Sequence, residues 1–231
     1  MPSTTITIGK WTIEGSNHQE LVGLKKEIFH EGRYEIDLDT ETPQIIDAGA
    51  HVGLAALYFK SRWPQAKITC VEPLPENIQH LKHNLWFNRF DDIEVVEAAL
   101  ADKAGETNMY FDNSEDQWFS TAGFCDGAWN NEQQSDSIQV KTIPLASLVT
   151  EPVDLLKLDI EGAETNVLMT AMPIFPLIHH IVMEFHPHPS NNWHDCMSLL
   201  RKNHFIPTET IPPNNPVWMR NYHFINNNFS Q

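Results

Sequence analysis

Cysteine, basic charge and long apolar runs are all scarce in this chain. Cys70, Cys125 and Cys196 are its three cysteines. They are widely spaced with no C-x-x-C pair, which argues against a disulfide framework and fits reduced thiols in the cytoplasm. Lys and Arg number 15 against 31 Asp and Glu, for a formal net charge of −16. Such a surface repels phosphate backbones and anionic lipid at long range, so no nucleic-acid partner is expected. No apolar stretch approaches the roughly 20 residues of a membrane span. The opening segment carries neither the basic nor the apolar part of a secretory signal. No membrane partner is expected, and the location read from these absences is cytoplasmic. Internal repeats and low-complexity tracts are missing too. What remains is a chain of 231 residues, 41% apolar, enough for a full core without disulfides or a structural metal.

The order of hydrophobic patterns then sets the fold class. Residues 4–13 alternate through Ile6, Ile8, Trp11 and Ile13 and read as a strand pair. Ile28-Phe29 and Tyr34-Glu35-Ile36, split by Glu31-Gly32-Arg33, read as a hairpin. Residues 1–40 are thus expected to be an N-terminal β extension, and 41–231 the main domain. There, short buried strands at 44–49, 67–72, 93–100, 153–160 and 178–185 are separated by helical stretches at 53–62, 75–88, 164–172 and 193–204. Further strands are expected at 107–111, 137–143, 206–211 and 222–226, the last two as a terminal hairpin across Pro212 to Pro216. Alternating strands and helices imply an α/β, Rossmann-like parallel sheet with helices on both faces. Ligands of such sheets bind beyond the carboxyl ends of the strands, where strand order reverses. The functional stretches are therefore Asp47–Gly53, Glu72, Ala98–Asp102 (with Ala99 at the strand end), Asp159–Glu164 and Glu184–His188.

The sharpest signal is Asp47-Ala48-Gly49-Ala50-His51-Val52-Gly53. Gly49 lets the chain turn off its strand, and Gly53 lets the next helix start pack closely. His51 stands where a dinucleotide fingerprint needs glycine, so a pyrophosphate cannot approach the backbone there. A carboxylate at Asp47 would repel a pyrophosphate and suits a ligand carrying an ammonium and a sulfonium. Glu72 ends the next strand, where a carboxylate can accept both hydroxyls of a ribose. An adenosine-bearing ligand with positive charge near the first loop is S-adenosylmethionine.

These residues carry a resemblance. Ile46-Asp47-Ala48-Gly49-Ala50-His51-Val52-Gly53, Val71-Glu72-Pro73 and Leu155-Leu156-Lys157-Leu158-Asp159-Ile160-Glu161-Gly162-Ala163-Glu164 resemble the FkbM family of methyltransferases over roughly residues 26 to 210. The resemblance implies a seven-stranded methyltransferase sheet whose last two strands form a reversed hairpin. It also implies methyl transfer to a hydroxyl, often on a sugar or secondary metabolite. His51 departs from the family, which commonly carries Asn. The expected cofactor set is Asp47, Gly49, His51, Gly53, Glu72, Pro73, Ala99 and Asp159.

Attack by an alcohol on an activated methyl group needs alignment and a base for the departing proton. Asp159 and Glu161 follow the fourth core strand, and strand alternation would turn both to one face. His186, after the fifth strand, has an unperturbed pKa near neutral. Asp159, Glu161 and His186 are the catalytic candidates, and Lys157 reads as an ion-pair partner of the acids. Asp159, Glu161, Glu184 and His186 together form an oxygen-rich set with one imidazole. Lacking the tight His/Cys spacing of a zinc site, they are assigned no metal. The polar stretch 112–136, with Trp118, Phe119, Phe124 and Trp129, reads as a binding loop whose aromatic faces suit a sugar or flat acceptor. The expected partner is a small-molecule or sugar-containing acceptor. N-methylation, a nicotinamide oxidoreductase and a non-catalytic nucleotide-binding protein are the alternatives, and oligomeric state is not encoded in these motifs.

Overall fold

The computed structural model describes residues 3–112, 122–124, 135–209 and 221–229. Strands β1 (Thr4–Ile8) and β2 (Trp11–Gly15) form the expected antiparallel ribbon. The hairpin expected across residues 28–36 is absent. Asn17 caps helix α1 (His18–Lys25), accepting from the amides of Gln19 and Glu20 at 2.8 and 3.2 Å, and a π-helical turn follows over Lys26–His30. The cap and the spacing of Leu21, Leu24 and Ile28 outweigh the local strand propensity of Ile28-Phe29, because these side chains line one helical face. Leu21 and Ile28 are buried there, and Leu24 packs against the same core.

The main sheet contains β3 (Gln44–Ala48), β4 (Lys67–Glu72), β5 (Ile93–Glu97), β9 (Val153–Leu158), β10 (Ile178–Glu184), β11 (Phe205–Pro207) and β12 (Asn221–Asn226). Its order is β11-β12-β10-β9-β3-β4-β5, seven strands, with β12 antiparallel to both neighbours. This is the reversed hairpin the resemblance implied. The chain proceeds outward from β3 to β5, then returns to place β9 beside β3. The switch point therefore lies between the carboxyl ends of β3 and β9.

Strand alternation sends consecutive residues into different cores. Ile45 and Leu155 join one cluster with α2 (Leu54–Arg62), α3 (Pro75–Phe87) and the N-terminal Ile13, Leu21 and Ile28. Ile46 and Leu156 join the other with α4 (Glu164–Ala171) and α5 (Trp193–Lys202). Both faces are buried, which is why these strands read as continuous apolar runs.

The strand expected over 93–100 breaks at Ala98. Beyond it, β6 (Ala99–Leu100) leaves the main sheet and pairs with β8 (Ser135–Ile143), itself antiparallel to β7 (Gly105–Asp112). This small sheet brings Met109 and Ala122 against Leu74 and Ala99, roofing the switch point. Trp118, Phe119, Trp129 and the Pro212–Pro216 turn lie outside the described residues. No helix among the described residues is long and apolar enough to cross a membrane.

Candidate active site

A cavity opens at the switch point, where ligands of such sheets bind. Gly49, Ala50 and His51 form its floor, Glu72 and Pro73 one end, Asp159 and Glu161 the other. The loop after β3 folds over the neighbouring strand, with the amides of Gly49 and Ala50 both donating to the Val71 carbonyl at 2.9 and 3.1 Å. Gly49 (φ +77°) could bear no side chain, since a Cβ would stand 1.8 Å from the Asp159 carbonyl oxygen. His51 takes up a left-handed φ of +50° without being glycine. Its Nδ1 is buried in the cavity wall with no hydrogen-bond partner.

Glu72 organises the adenosine-side end. One carboxylate oxygen accepts from the His51 amide at 2.9 Å, and the other accepts from the Leu74 amide and the Asn77 side chain, each at 3.1 Å. Burial raises its pKa. Ala99 and Leu74 supply apolar wall beside it, and Leu24 and Ile28 of the N-terminal segment close the opposite side.

Two cofactor candidates do not reach the cavity. Asp47 is fully buried and lies 3.0 Å from Lys157 Nζ, so its charge is spent on that ammonium rather than on a ligand. The sequence reading placed this carboxylate at the strand mouth. The residue is buried within β3, where the Lys157 ammonium faces it. Gly53 also stands back from the cavity. It begins α2 at φ +95°, and a Cβ there would come within 2.8 Å of Leu81 Cδ1.

Lys157, read as a structural partner of the acids, is central. Its Nζ donates to the carbonyls of Ala48 and Gly49 at 3.2 and 2.8 Å and lies 3.7 Å from Asp159 Oδ2. Burial works to lower its pKa, but Asp47, Tyr34 and Asp159 raise it, so it stays charged. Tyr34 donates to Asp159 Oδ2 at 3.3 Å. Burial works to raise the Asp159 carboxyl, and Lys157, His186 and Arg33 outweigh it to hold Asp159 below its ordinary range.

Strand geometry does not persist to Glu161: β9 ends at Leu158, and Glu161 has φ +53°. Asp159 and Glu161 nevertheless share the same cavity wall. His186 sits behind them, its Nε2 3.5 Å from Glu161 Oε2 and 4.0 Å from Asp159 Oδ1. Burial pushes Glu161 up to about 8, with Asp159 and Glu184 adding to the shift. Burial and Asp159 likewise push Glu184 up to about 7. The His186 imidazole is lowered by burial but raised well above its ordinary value by Glu161 and Glu164. His188 is exposed and bonds Ser190. Arg33 and Tyr34 were not among the sequence candidates, and Glu164 lay in the functional stretch without an assigned role. Arg33 and Tyr34 sat in a segment read as a hairpin, and the acid at 164 suited a helix start equally well.

Residues 47–207 match the family model of the methyltransferase FkbM domain. The chain is 30% identical over 170 residues to Methyltransferase sdnD of Sordaria araneosa, covering 62% of this chain and 66% of that one. It is 26% identical over 166 residues to Methyltransferase 1 of Beauveria bassiana, covering 64% and 66%. It thus spans just under two thirds of the length of these curated relatives. Methyltransferase FkbM of Methylobacillus flagellatus KT shares the fold at a TM-score of 0.57 and 15% identity, over 87% of this chain and 47% of that one.

Proposed function

This chain belongs to the FkbM family of methyltransferases, and on that premise we propose that it transfers a methyl group from S-adenosylmethionine to a hydroxyl of a small or sugar-containing molecule. One observation carries the reading: a switch-point cavity with Glu72 and apolar wall at one end and Asp159 and Glu161 at the other. The donor fits these residues, because Leu74 and Ala99 suit an adenine face and the unpartnered His51 Nδ1 offers a polar contact to the methionyl end. Glu72, Asn77, Leu74, Pro73 and Ala99 would hold the adenosyl part, and the Gly49–His51 turn the methionyl part. S-adenosylmethionine supplies a methyl group already activated by its sulfonium.

The chain has the remaining tasks of alignment, exclusion of water and removal of one proton. Asp159, kept ionised by Lys157, orients the acceptor hydroxyl. Glu161, on the same wall, accepts its proton. His186 stands behind the Glu161 carboxylate, and Met109, Ala122 and Phe124 line the cavity beside it. The net charge of −16 favours an uncharged or cationic acceptor over a nucleic acid.

Calorimetry with S-adenosylhomocysteine and NAD tests the donor. The first should bind and NAD should not, and Glu72→Gln should weaken binding about tenfold, which is about 1.4 kcal/mol. Binding of NAD in place of S-adenosylhomocysteine would overturn the assignment. Labelled methyl transfer to matched alcohols and amines then decides the acceptor atom, with methylated amines alone refuting the hydroxyl.

A further inference from the structure

Behind the acid wall, three side chains meet in an unusual arrangement. Each has one polar atom anchored by the protein and the other turned into a shared gap. Asp159 Oδ2 is held by Tyr34 and Lys157, leaving Oδ1. Glu184 Oε2 is held by Arg33, leaving Oε1, which is buried and without a hydrogen-bond partner in a side chain only 3% exposed. His186 Nδ1 lies 3.0 Å from Glu164 Oε1, leaving Nε2. The free atoms are too far apart to bond one another: Nε2 is 4.0 Å from Asp159 Oδ1 and 3.8 Å from Glu184 Oε1, with Glu161 Oε2 also near at 3.5 Å.

Those separations suit donors sharing one ion. With bonds of about 2.1 Å, neighbouring ligands stand about 3 Å apart and opposite ones about 4.2 Å. The ligating atoms of Asp159, Glu184 and His186 all lie within 4.8 Å of one another, a gap slightly wider than the bonded set. The charges point the same way. The carboxylates of Asp159, Glu161, Glu164 and Glu184 face Arg33, Lys157 and His186, while Lys157 is also held by Asp47 and Arg33 by Glu27. A carboxylate on the far nitrogen of an imidazole is moreover the usual way a metal-binding histidine is oriented. Glu164 is itself fixed, accepting from the Gly162 amide and from Asn191.

We propose that Asp159 Oδ1, Glu184 Oε1 and His186 Nε2 form a binding site for one divalent cation of the Mn²⁺ or Mg²⁺ class. The sequence assigned no metal because the set lacks the tight His/Cys spacing of a zinc site and acids beside strand ends are common. Binding replaces any proton on Nε2, which leaves to solvent. Asp159 is in the cavity wall, so an open coordination position beside it would face the acceptor end and lower the pKa of a coordinated hydroxyl. That role rests on the methyl-transfer reading; the binding of the ion does not.

The test uses the chelator-treated 231-residue chain and Mn²⁺ followed by electron paramagnetic resonance. One ion per chain should bind, and spin-echo modulation should show a single coupled histidine nitrogen. His186→Gln should abolish that coupling and weaken binding at least tenfold, and Glu164→Gln should weaken it about 10- to 100-fold. Glu184→Gln should do likewise, and should it fail to fold because Arg33 loses one of its two carboxylate partners, the nitrogen coupling in the unaltered protein still decides. No binding at millimolar Mn²⁺ by folded protein overturns the proposal, as does binding without a histidine coupling. S-adenosylhomocysteine binding by the metal-free protein is scored separately, so loss of the donor reading and loss of the ion site give different results.

Discussion

At the residue scale, the cavity floor depends on an absent side chain. The Asp159 carbonyl occupies the space a Cβ on Gly49 would need, at a backbone φ of +77°. Gly49→Ala must move backbone rather than a flexible side chain. It is expected to cost about 3 kcal/mol or more, or to prevent folding, as read by urea denaturation. Glu161 presents the opposite case, because its carboxylate lines the cavity without supporting the sheet. Glu161→Gln should lower turnover about 100-fold or more while S-adenosylhomocysteine affinity, measured by calorimetry, changes less than about threefold, roughly 0.65 kcal/mol. An equal loss of both would make the residue part of donor binding instead.

At the element scale, α3 holds the N-terminal ribbon through side chains that imitate a neighbouring strand. Asn84 accepts from the Glu14 amide at 2.8 Å and donates to the carbonyls of Glu14 and Val52 at 2.8 and 2.9 Å. One turn later, Asn88 makes the same two-way contact with Thr12 at 3.1 and 2.8 Å. Residues 12 and 14 share a face of β2, and positions 84 and 88 share a face of the helix, so the two periods mesh. Asn84→Ala leaves buried backbone groups unpaired and is expected to cost about 2–4 kcal/mol. Hydrogen exchange should show the Glu14 amide losing its protection.

The hairpin edge of the sheet carries a titration. His180 Nδ1 and His223 Nε2 lie 3.2 Å apart between β10 and β12. Burial, then the neighbouring His180, pushes His223 down to about 4, and burial, then His179, lowers His180. The unfolded chain takes up these protons near pH 6.5, whereas the folded chain holds off His223 until about pH 4 and takes up the His180 proton at a lower pH than the unfolded chain. Stability from the neutral pair is therefore present above about pH 6.5 and is lost as pH falls toward 4. Denaturation at pH 7 and pH 5 should show a smaller loss in His223→Phe than in the unaltered protein.

On the scale of the whole molecule, one cavity draws on distant parts of the chain. Leu24 and Ile28 reach it from the N-terminal segment, Met109 and Ala122 from around the small sheet, and the acids from the turn after β9. A ligand seated there ties these parts together and stabilises the folded state by mass action. At about 100 times its dissociation constant, S-adenosylhomocysteine should add about 2.7 kcal/mol, raising Tm by roughly 5–10 °C for a domain of this size. NAD at the same concentration should leave Tm unchanged.

The main sheet was legible because its strands are buried on both faces and its helices carry their own punctuation, such as Pro75 at the start of α3. The loop after β3 was legible because glycine there answers a backbone requirement of that loop alone. The helical character of residues 18–30 was not, since Ile28 and Phe29 satisfy a strand as readily as a helix until a core chooses the face.

Local sequence thus determined which segments of the main sheet become strands and helices, and which strand ends carry acids, because propensity and periodicity act over a few residues. Only the tertiary structure decided where those acids point. It turned Asp47 inward onto Lys157, brought Arg33 and Tyr34 to the acid wall, and set Glu184 and His186 beside Asp159. Pairings across such sequence separations are fixed by packing and charge balance in the folded interior, which no short window of sequence contains.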